Sequence, residues 1–430
     1  MIQLIVLREG NPMSDMVEKK KEVPTSSAPG SQLAVGAAVE VPSYMPRRTL
    51  GQMLRGELGF VPVLLTLLVI MAYFYFDSGG IFLKAENISN LAGQIPVIGI
   101  LGLGVIMVLL LGEIDLSIAV VSTLCAVIMA VLSERAGAPA WVAIMAALLS
   151  GALIGFINGF FIAVLRVPSF IVTLAGSIGY AGLLLYLLQG QATLIISNSF
   201  ILAIAGTFLP NTLSIILAAL VVLLYAAGLI FNYVRRKRAG LRTASVLWLI
   251  AQVVIVAVLV EGVVIVLNNY VGVPYPTAIF FGLIAVFWLI MTKTRFGRHV
   301  YAVGGSSEAA RRAGISVVGI RIACFTLCST LAAVGGILAA SRGLSVASQI
   351  PPTLLLNAIA AAVIGGVSLF GGHGSVWAIV LGVLIIGSLE NGLALRSAPT
   401  EVTLMVEGVV LLIAVTADAL IRRAQMRTGR

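Results

Sequence analysis

Long apolar runs separated by short polar or basic stretches dominate the chain from residue 59 onward. A helix needs about 20 residues to cross about 30 Å of hydrocarbon. On that rule the runs predict spans at 59–76, 92–112, 116–132, 140–165, 170–188, 212–233, 244–267, 277–291, 320–340, 355–370, 375–389 and 401–420. The count is twelve, or ten to eleven if the shortest runs do not cross. The pattern is that of an all-α polytopic membrane protein. Composition agrees, since 60% of the 430 residues are hydrophobic and 10% are charged, against roughly 25% charged in soluble domains. A soluble enzyme of this composition would expose large adhesive patches.

The formal charge of +10 raises nucleic acid as a partner, but the placement of the basic residues excludes it. They cluster in short runs between apolar segments, which is the positive-inside pattern. Linker 234–243 carries Arg235, Arg236, Lys237, Arg238 and Arg242. Segment 292–321 carries Lys293, Arg295, Arg298, Arg311, Arg312 and Arg321, and the end of the chain carries Arg422, Arg423, Arg427 and Arg430. Twelve spans with both termini cytoplasmic place 23 of the 27 basic residues inside, leaving Lys84, Arg135, Arg342 and Arg396 outside. Residues 1–58 are polar and read as a flexible cytoplasmic tail. Residues 59–421 form the transmembrane domain and 422–430 a basic tail. The run Ile2–Leu7 is too short for a signal-peptide core, and Met13 and Met16 stand as alternative starts.

Segment 92–117 is the least regular. Pro96 interrupts its start, and the apolar run Val97–Leu111 is too short to cross alone. It meets Glu113, Asp115 and Ser117, which suggests a broken or re-entrant helix, tolerated only inside protein or beside a watery cavity. Carboxylates near a bilayer read as functional. A second reading has Asp115 cap the next helix by accepting backbone N–H bonds. Glu261 fits snorkelling to the interface. A faint repeat relates Asn158-Gly159, Arg166, Pro168 and Thr173 to Asn391-Gly392, Arg396, Pro399 and Thr403. On the twelve-span count the two loops face opposite sides, the relation of an inverted repeat; a chance match with gaps is the alternative.

Little else suggests chemistry. No G-x-x-x-x-G-K-[ST] loop is present, so the chain lacks the usual ATP-binding apparatus. His299 and His373 make no metal or catalytic spacing, and Cys125, Cys324 and Cys328 read as packing residues. No cofactor and no catalytic residue is expected. Gly151-x-x-x-Gly155-x-x-x-Gly159 is a small-residue stripe for close helix approach. In 296–315, Ser306 or Ser307 suits a helix start and Glu308 its first turn. Arg311 and Arg312 suit its last turn, and Gly314 a left-handed stop. A short helix too polar for the bilayer therefore lies between two spans, either bound to lipid headgroups or serving as a docking helix for a cytoplasmic partner.

Gly297-Arg298, Tyr301-Ala302-Val303-Gly304-Gly305, Glu308-Ala309-Ala310-Arg311 and Gly314-Ile315 resemble the cytoplasmic coupling segment of sugar ABC importer permeases. Ile114-Asp115-Leu116-Ser117, Asn158-Gly159, Val167–Leu174, Ile364–Leu369 and Gly371–Ser375 are similar to further pieces of that family, in order. Within it the chain resembles the D-xylose type, through the extra spans around 235–242, Leu267–Pro274 and Ser388–Gly392. Glu113 departs from the glycine found in many members. The resemblance implies a permease subunit in the bacterial inner membrane that moves a monosaccharide, D-xylose or a related pentose, by alternating access. It implies four partners: a cytoplasmic ATP-binding subunit, a periplasmic sugar-binding protein, a second permease copy and the lipid bilayer. Ser306, Glu308, Arg311, Arg312 and Gly314 would couple to the ATPase. Glu113, Asp115, Ser117, Asn158 and Asn391 are candidates for the pathway or broken helix. The competing function is a proton- or sodium-coupled secondary transporter with Glu113 or Asp115 as the ion site.

Overall fold

The computed structural model describes residues 61–241, 243 and 245–427. The predicted tail 1–58, Arg242 and Arg430 lie outside the described residues. Each of the twelve predicted spans falls on a helix. In chain order these are α1 (Val61–Asp77), α2 (Ala85–Leu109), α3 (Ile118–Ala130), α4 (Ala140–Ala163), α5 (Ser169–Leu188), α7 (Asn211–Arg238), α8 (Val246–Asn268), α9 (Tyr275–Lys293), α12 (Val317–Gly343), α13 (Pro352–Ile364), α14 (Ala378–Leu395) and α15 (Thr400–Arg427). Three more helices lie between them: α6 (Ser199–Gly206), α10 (Arg295–Gly305) and α11 (Ser307–Arg312). Among the described residues nine helices are long and apolar enough to cross a membrane, and α1 and α13 are shorter.

One irregularity read from the sequence is corrected. Pro96 lies inside α2 and does not start it; the helix runs 25 residues from Ala85. The polar residues Glu86, Asn87, Ser89 and Asn90 hid its first turns. Asn87 and Ser89 are buried within this helix, and the Asn87 amide reaches Asn391 of α14, so they do not mark a loop. The break comes afterwards, between Leu109 and Ile118. α3 in turn ends in a π-helical turn, Val131–Arg135.

α12 runs through the middle of the bundle and packs on α2, α3 and α4. The predicted glycine stripe makes the α4 contact possible. A Cβ at Gly151, Gly155 or Gly159 would come within 2.7 Å of the Ser329 carbonyl oxygen, 2.4 Å of the Phe325 carbonyl oxygen and 2.8 Å of Ile322 Cα. The two backbones therefore touch directly, which gives dispersion contact where lipid supplies no hydrophobic drive. Cys125, Cys324 and Cys328 are buried free thiols in this core. Outside it the helices show apolar faces to their surroundings: Phe76 is 79% and Leu247 77% exposed. Such faces are stable only in hydrocarbon. α7 and α8 pack mainly on each other, with Glu261 half-buried on α8.

Two antiparallel strand pairs stitch the connections. β1 (Thr193–Ile195) pairs with β4 (Ser345–Ala347), with Leu194 opposite Val346. β2 (Phe208–Leu209) pairs with β3 (Val273–Pro274). Between β1 and β2, α6 is capped by Asn198, whose side-chain oxygen accepts from the N–H of Phe200 and of Ile201. Ser341 of α12 donates its hydroxyl to the Ile201 carbonyl at 2.7 Å. The loops of the faint repeat each contain one left-handed residue that is not glycine. Arg166 (φ 59°) and Ser397 (φ 52°) are both left-handed, and Pro168 and Pro399 each follow two residues later, before α5 and α15. The left-handed residue of the second loop is Ser397 and not Arg396, the residue that the repeat pairs with Arg166.

Candidate functional site

The break after α2 creates the first cluster. Chain reversal there leaves backbone groups that must be satisfied without water. α5 supplies the partners from one face of its first turns: Ile114 N–H donates to Ser169 Oγ at 3.4 Å and Leu116 N–H to Thr173 Oγ1 at 3.1 Å. Asp115 Oδ1 accepts from the Ser117 N–H at 2.8 Å and from its hydroxyl at 2.6 Å. Asp115 thus closes a local turn onto Ser117, the residue that starts α3, and does not itself accept from the helix's first amides. The Asn158 amide donates to Ser117 Oγ at 3.2 Å, and the Tyr180 hydroxyl donates to Asn158 Oδ1 at 2.8 Å. Asp115, Ser117 and Asn158 are all buried. The structure therefore brings these three predicted residues into one chain across α3, α4 and α5. Asp115 Oδ2 is buried with no nitrogen or oxygen partner, and the Cys328 thiol of α12 lies against the carboxylate. Tyr180, Thr173 and Ser169 complete the chain. Tyr180 escaped notice in the sequence; its only signal was a hydroxyl-bearing ring in an apolar run.

Asn391 belongs elsewhere. It is buried on α14 and accepts from the Asn87 amide of α2 at 2.7 Å. Next to it Glu390 accepts from the Asn357 amide of α13 at 2.5 Å. Glu407 of α15 shares the same amide and keeps one buried oxygen without a partner. Asn158 and Asn391 therefore sit in separate polar clusters.

The segment after α9 holds two helices where the sequence suggested one. Thr294 caps α10, its hydroxyl accepting from Gly297 N–H at 3.3 Å. Val300 and Val303 are buried on one face of α10, and the charged residues lie opposite. This helix was missed because its glycines and charges imitate a loop. α11 follows the predicted rules: Ser306 Oγ accepts from Ala309 N–H at 3.2 Å. Gly314 stops it at φ 81°, and the Ile315 N–H closes on the Ala310 carbonyl at 3.0 Å. Arg311 and Arg312 both reach Glu308, at 2.7 and 3.1 Å, on the exposed surface. The Arg311 hydrogen bond, with Arg312 adding to it, holds the Glu308 carboxyl below its ordinary range.

Glycine backbones anchor this pair of helices to the bundle. A Cβ on Gly304 would stand 1.8 Å from the Leu110 carbonyl oxygen at the end of α2. That oxygen is one of the carbonyls a helix end leaves unpaired, and it accepts from Gly372 N–H at 2.9 Å. The Tyr301 hydroxyl donates to the Gly374 carbonyl at 2.9 Å, and burial pushes that hydroxyl's pKa up, so it stays a donor. α10, the end of α2 and loop 370–374 thus meet backbone to backbone. Beside this knot lies a cleft of about 320 Å³, lined by Glu113, Arg166, Ser307, Glu308, Arg311 and Arg321 among others. Glu113 faces Arg321 of α12 at 3.1 Å. Basic residues predicted for one membrane side, Arg166, Arg311 and Arg321, share this cleft, in agreement with the charge pattern.

Residues 87–415 match the family described as the branched-chain amino acid transport system / permease component. The xylose transport system permease protein XylH of Escherichia coli (strain K12) is 34% identical over 357 residues, 83% of this chain and 91% of the relative. XylH of Haemophilus influenzae is 36% identical over 358 residues, 83% of this chain and 95% of the relative. The fructose import permease protein FrcC of Rhizobium meliloti is 29% identical over 363 residues, 84% and 86% of the two chains. No solved structure matches. With a broken α2–α3 turn and an anchored pair of polar helices between long apolar ones, this multi-pass membrane protein belongs to the permease family that contains these sugar-import permeases.

Proposed function

We propose that the chain is the membrane-spanning subunit of an ATP-driven importer for a monosaccharide, D-xylose or a related pentose. The observation that carries this reading is the anchoring of α10–α11: a polar, capped helix pair too charged for the bilayer is joined through backbone contacts to the end of α2. A surface helix that merely lay on lipid would need no such joint. A cytoplasmic ATP-binding subunit docks on α11, around Ser306, Glu308, Arg311, Arg312 and Gly314. Its motion on binding ATP passes through Gly304 and Leu110 into α2, and so opens one side of the pathway and closes the other. Two permease copies form the pathway, and a periplasmic binding protein delivers the sugar. ATP hydrolysis lies on the separate subunit. The similarity to xylose permeases over most of both chains supports the pentose. The ion-coupled alternative finds less support: Glu113 is neutralised by Arg321, and one Asp115 oxygen is taken by Ser117.

The test is purification of the tagged chain from its native membranes in gentle detergent. An ATP-binding subunit that co-purifies, with hydrolysis stimulated by D-xylose-loaded binding protein, is the expected result. A lone chain that moves sugar down an imposed ion gradient in liposomes would refute it.

A further inference from the structure

The glycine knot joins the docking helices to α2, but it does not touch Asp115 or its partners. A second connection reaches the turn that carries Asp115. Arg321 Nη2 lies 3.1 Å from Glu113 Oε1, with the two side chains only 27% and 16% exposed. Arg321 Nε is buried with no hydrogen bond, so Glu113 is the acidic partner of this guanidinium. The pair is more shielded from water, and so less screened by salt, than the solvent-exposed pairs on α11.

Each end of the pair is attached to something different. Arg321 stands in the first turns of α12, whose cap, Ser316, directly follows the Gly314–Ile315 stop of α11. Any displacement of α11 is therefore handed to the start of α12 within a few residues. Glu113 stands two residues before Asp115, on the turn whose flanking amides, Ile114 and Leu116, are held by Ser169 and Thr173 of α5. The turn is clamped on one side by α5 and pulled on the other by α12.

We infer that the Glu113–Arg321 ion pair is a coupling strut, which carries displacement of the docking helix α11 to the buried chain Asp115–Ser117–Asn158–Tyr180. The inference rests on the importer reading above. Glu113 and Arg321 are positioning residues, and neither is assigned to touch the sugar. Coupling between distant sites is demonstrated by interaction energies and not by adjacency, so the test is a double-mutant cycle. The complete assembly, with ATP-binding subunit and binding protein, is reconstituted in liposomes and given D-xylose-loaded binding protein. The ratio of stimulated to basal ATP hydrolysis is compared in E113Q, R321Q and the double variant. The expected result is a fall in that ratio of about tenfold in each single variant, within the usual range of allosteric couplings. The double variant then loses no more than either single one.

An unchanged ratio in both single variants, or losses that multiply in the double, overturns the strut. So does a fall in basal hydrolysis at an unchanged ratio, which marks a docking role only. If R321Q does not insert, E113D decides. Recovery of half or more of the wild-type ratio supports the strut, and a ratio as low as that of E113Q overturns it. An unmodified chain that binds no ATP-binding subunit overturns the importer reading together with the strut, whereas a coupled wild type with indifferent variants overturns the strut alone.

Discussion

Replacing Gly304 with alanine inserts one methyl group where two backbones meet. The new Cβ would stand 1.8 Å from the Leu110 carbonyl oxygen and 2.8 Å from Gly372 N. Ordinary contact between such atoms needs about 3.5 Å, so α10 must retreat from α2 by well over an ångström. Neither neighbour is a flexible side chain, and no rotamer change can relieve the collision. Overpacking of this kind costs about 1–3 kcal/mol. The methyl also wedges against both ends of the Gly372 N–H to Leu110 bond of 2.9 Å, and parting them leaves an unsatisfied buried backbone group that costs about 1–3 kcal/mol more. The docked position of α10 is thus weakened by about 2–6 kcal/mol, which is one to four powers of ten in its population. The neighbouring residue provides the control: a Cβ on Gly305 meets nothing within 4 Å. Uptake of labelled D-xylose into cells, normalised to the amount of permease in the membrane, is the assay. G304A should insert normally and lose at least tenfold in uptake, while G305A stays near wild type. Equal uptake by the two variants would show that the joint between α10 and α2 transmits nothing.

Four further outcomes follow from the same geometry. Asn158→Leu strands the Tyr180 hydroxyl and takes one donor from the Ser117 hydroxyl, which keeps its bond to Asp115, and should lower stability by about 2–4 kcal/mol in detergent, against about 1 kcal/mol for Tyr180→Phe; equal effects of the two would break the proposed chain. Gly155→Ala drives a Cβ to 2.4 Å from the Phe325 carbonyl oxygen and should destabilise by about 1–3 kcal/mol, read as a lower midpoint of thermal unfolding. Glu308 has its carboxyl held below the ordinary range by Arg311 and Arg312. Its contribution to α11 is therefore complete above the ordinary carboxylate range and lost as pH falls through the lowered value. Amide exchange in α11 should be level between roughly pH 6 and 8 once corrected for intrinsic rate, and rise only in acid; opening near neutrality would contradict the pairing. Glu407→Gln removes one of two carboxylates that share the Asn357 amide, so it should raise the thermal midpoint; a lower midpoint would mean that the charge is needed there.

The sequence alone determined whatever depends on neighbours along the chain. Crossing a bilayer requires a local run of apolar residues, so the twelve predicted segments each fall on a helix, nine of them among the described residues long and apolar enough to cross. Capping is equally local: Ser306, Glu308, Arg311, Arg312 and Gly314 lie where α11 needs them. A four-residue glycine period fixes one helix face, and that face of α4 meets α12. Tertiary structure decided the rest, because polar groups in a low-dielectric interior find partners by distance and not by order in the chain. Asn87 and Ser89 lie outside the predicted span 92–112, yet both are buried in a helix that starts at Ala85. Asn158 and Asn391 looked equivalent until one joined Tyr180 and the other Asn87. Gly304 and Leu110, or Glu113 and Arg321, carry no mark of each other in the sequence. Their meeting follows from how the helices pack, which sums many weak contacts spread over the whole chain.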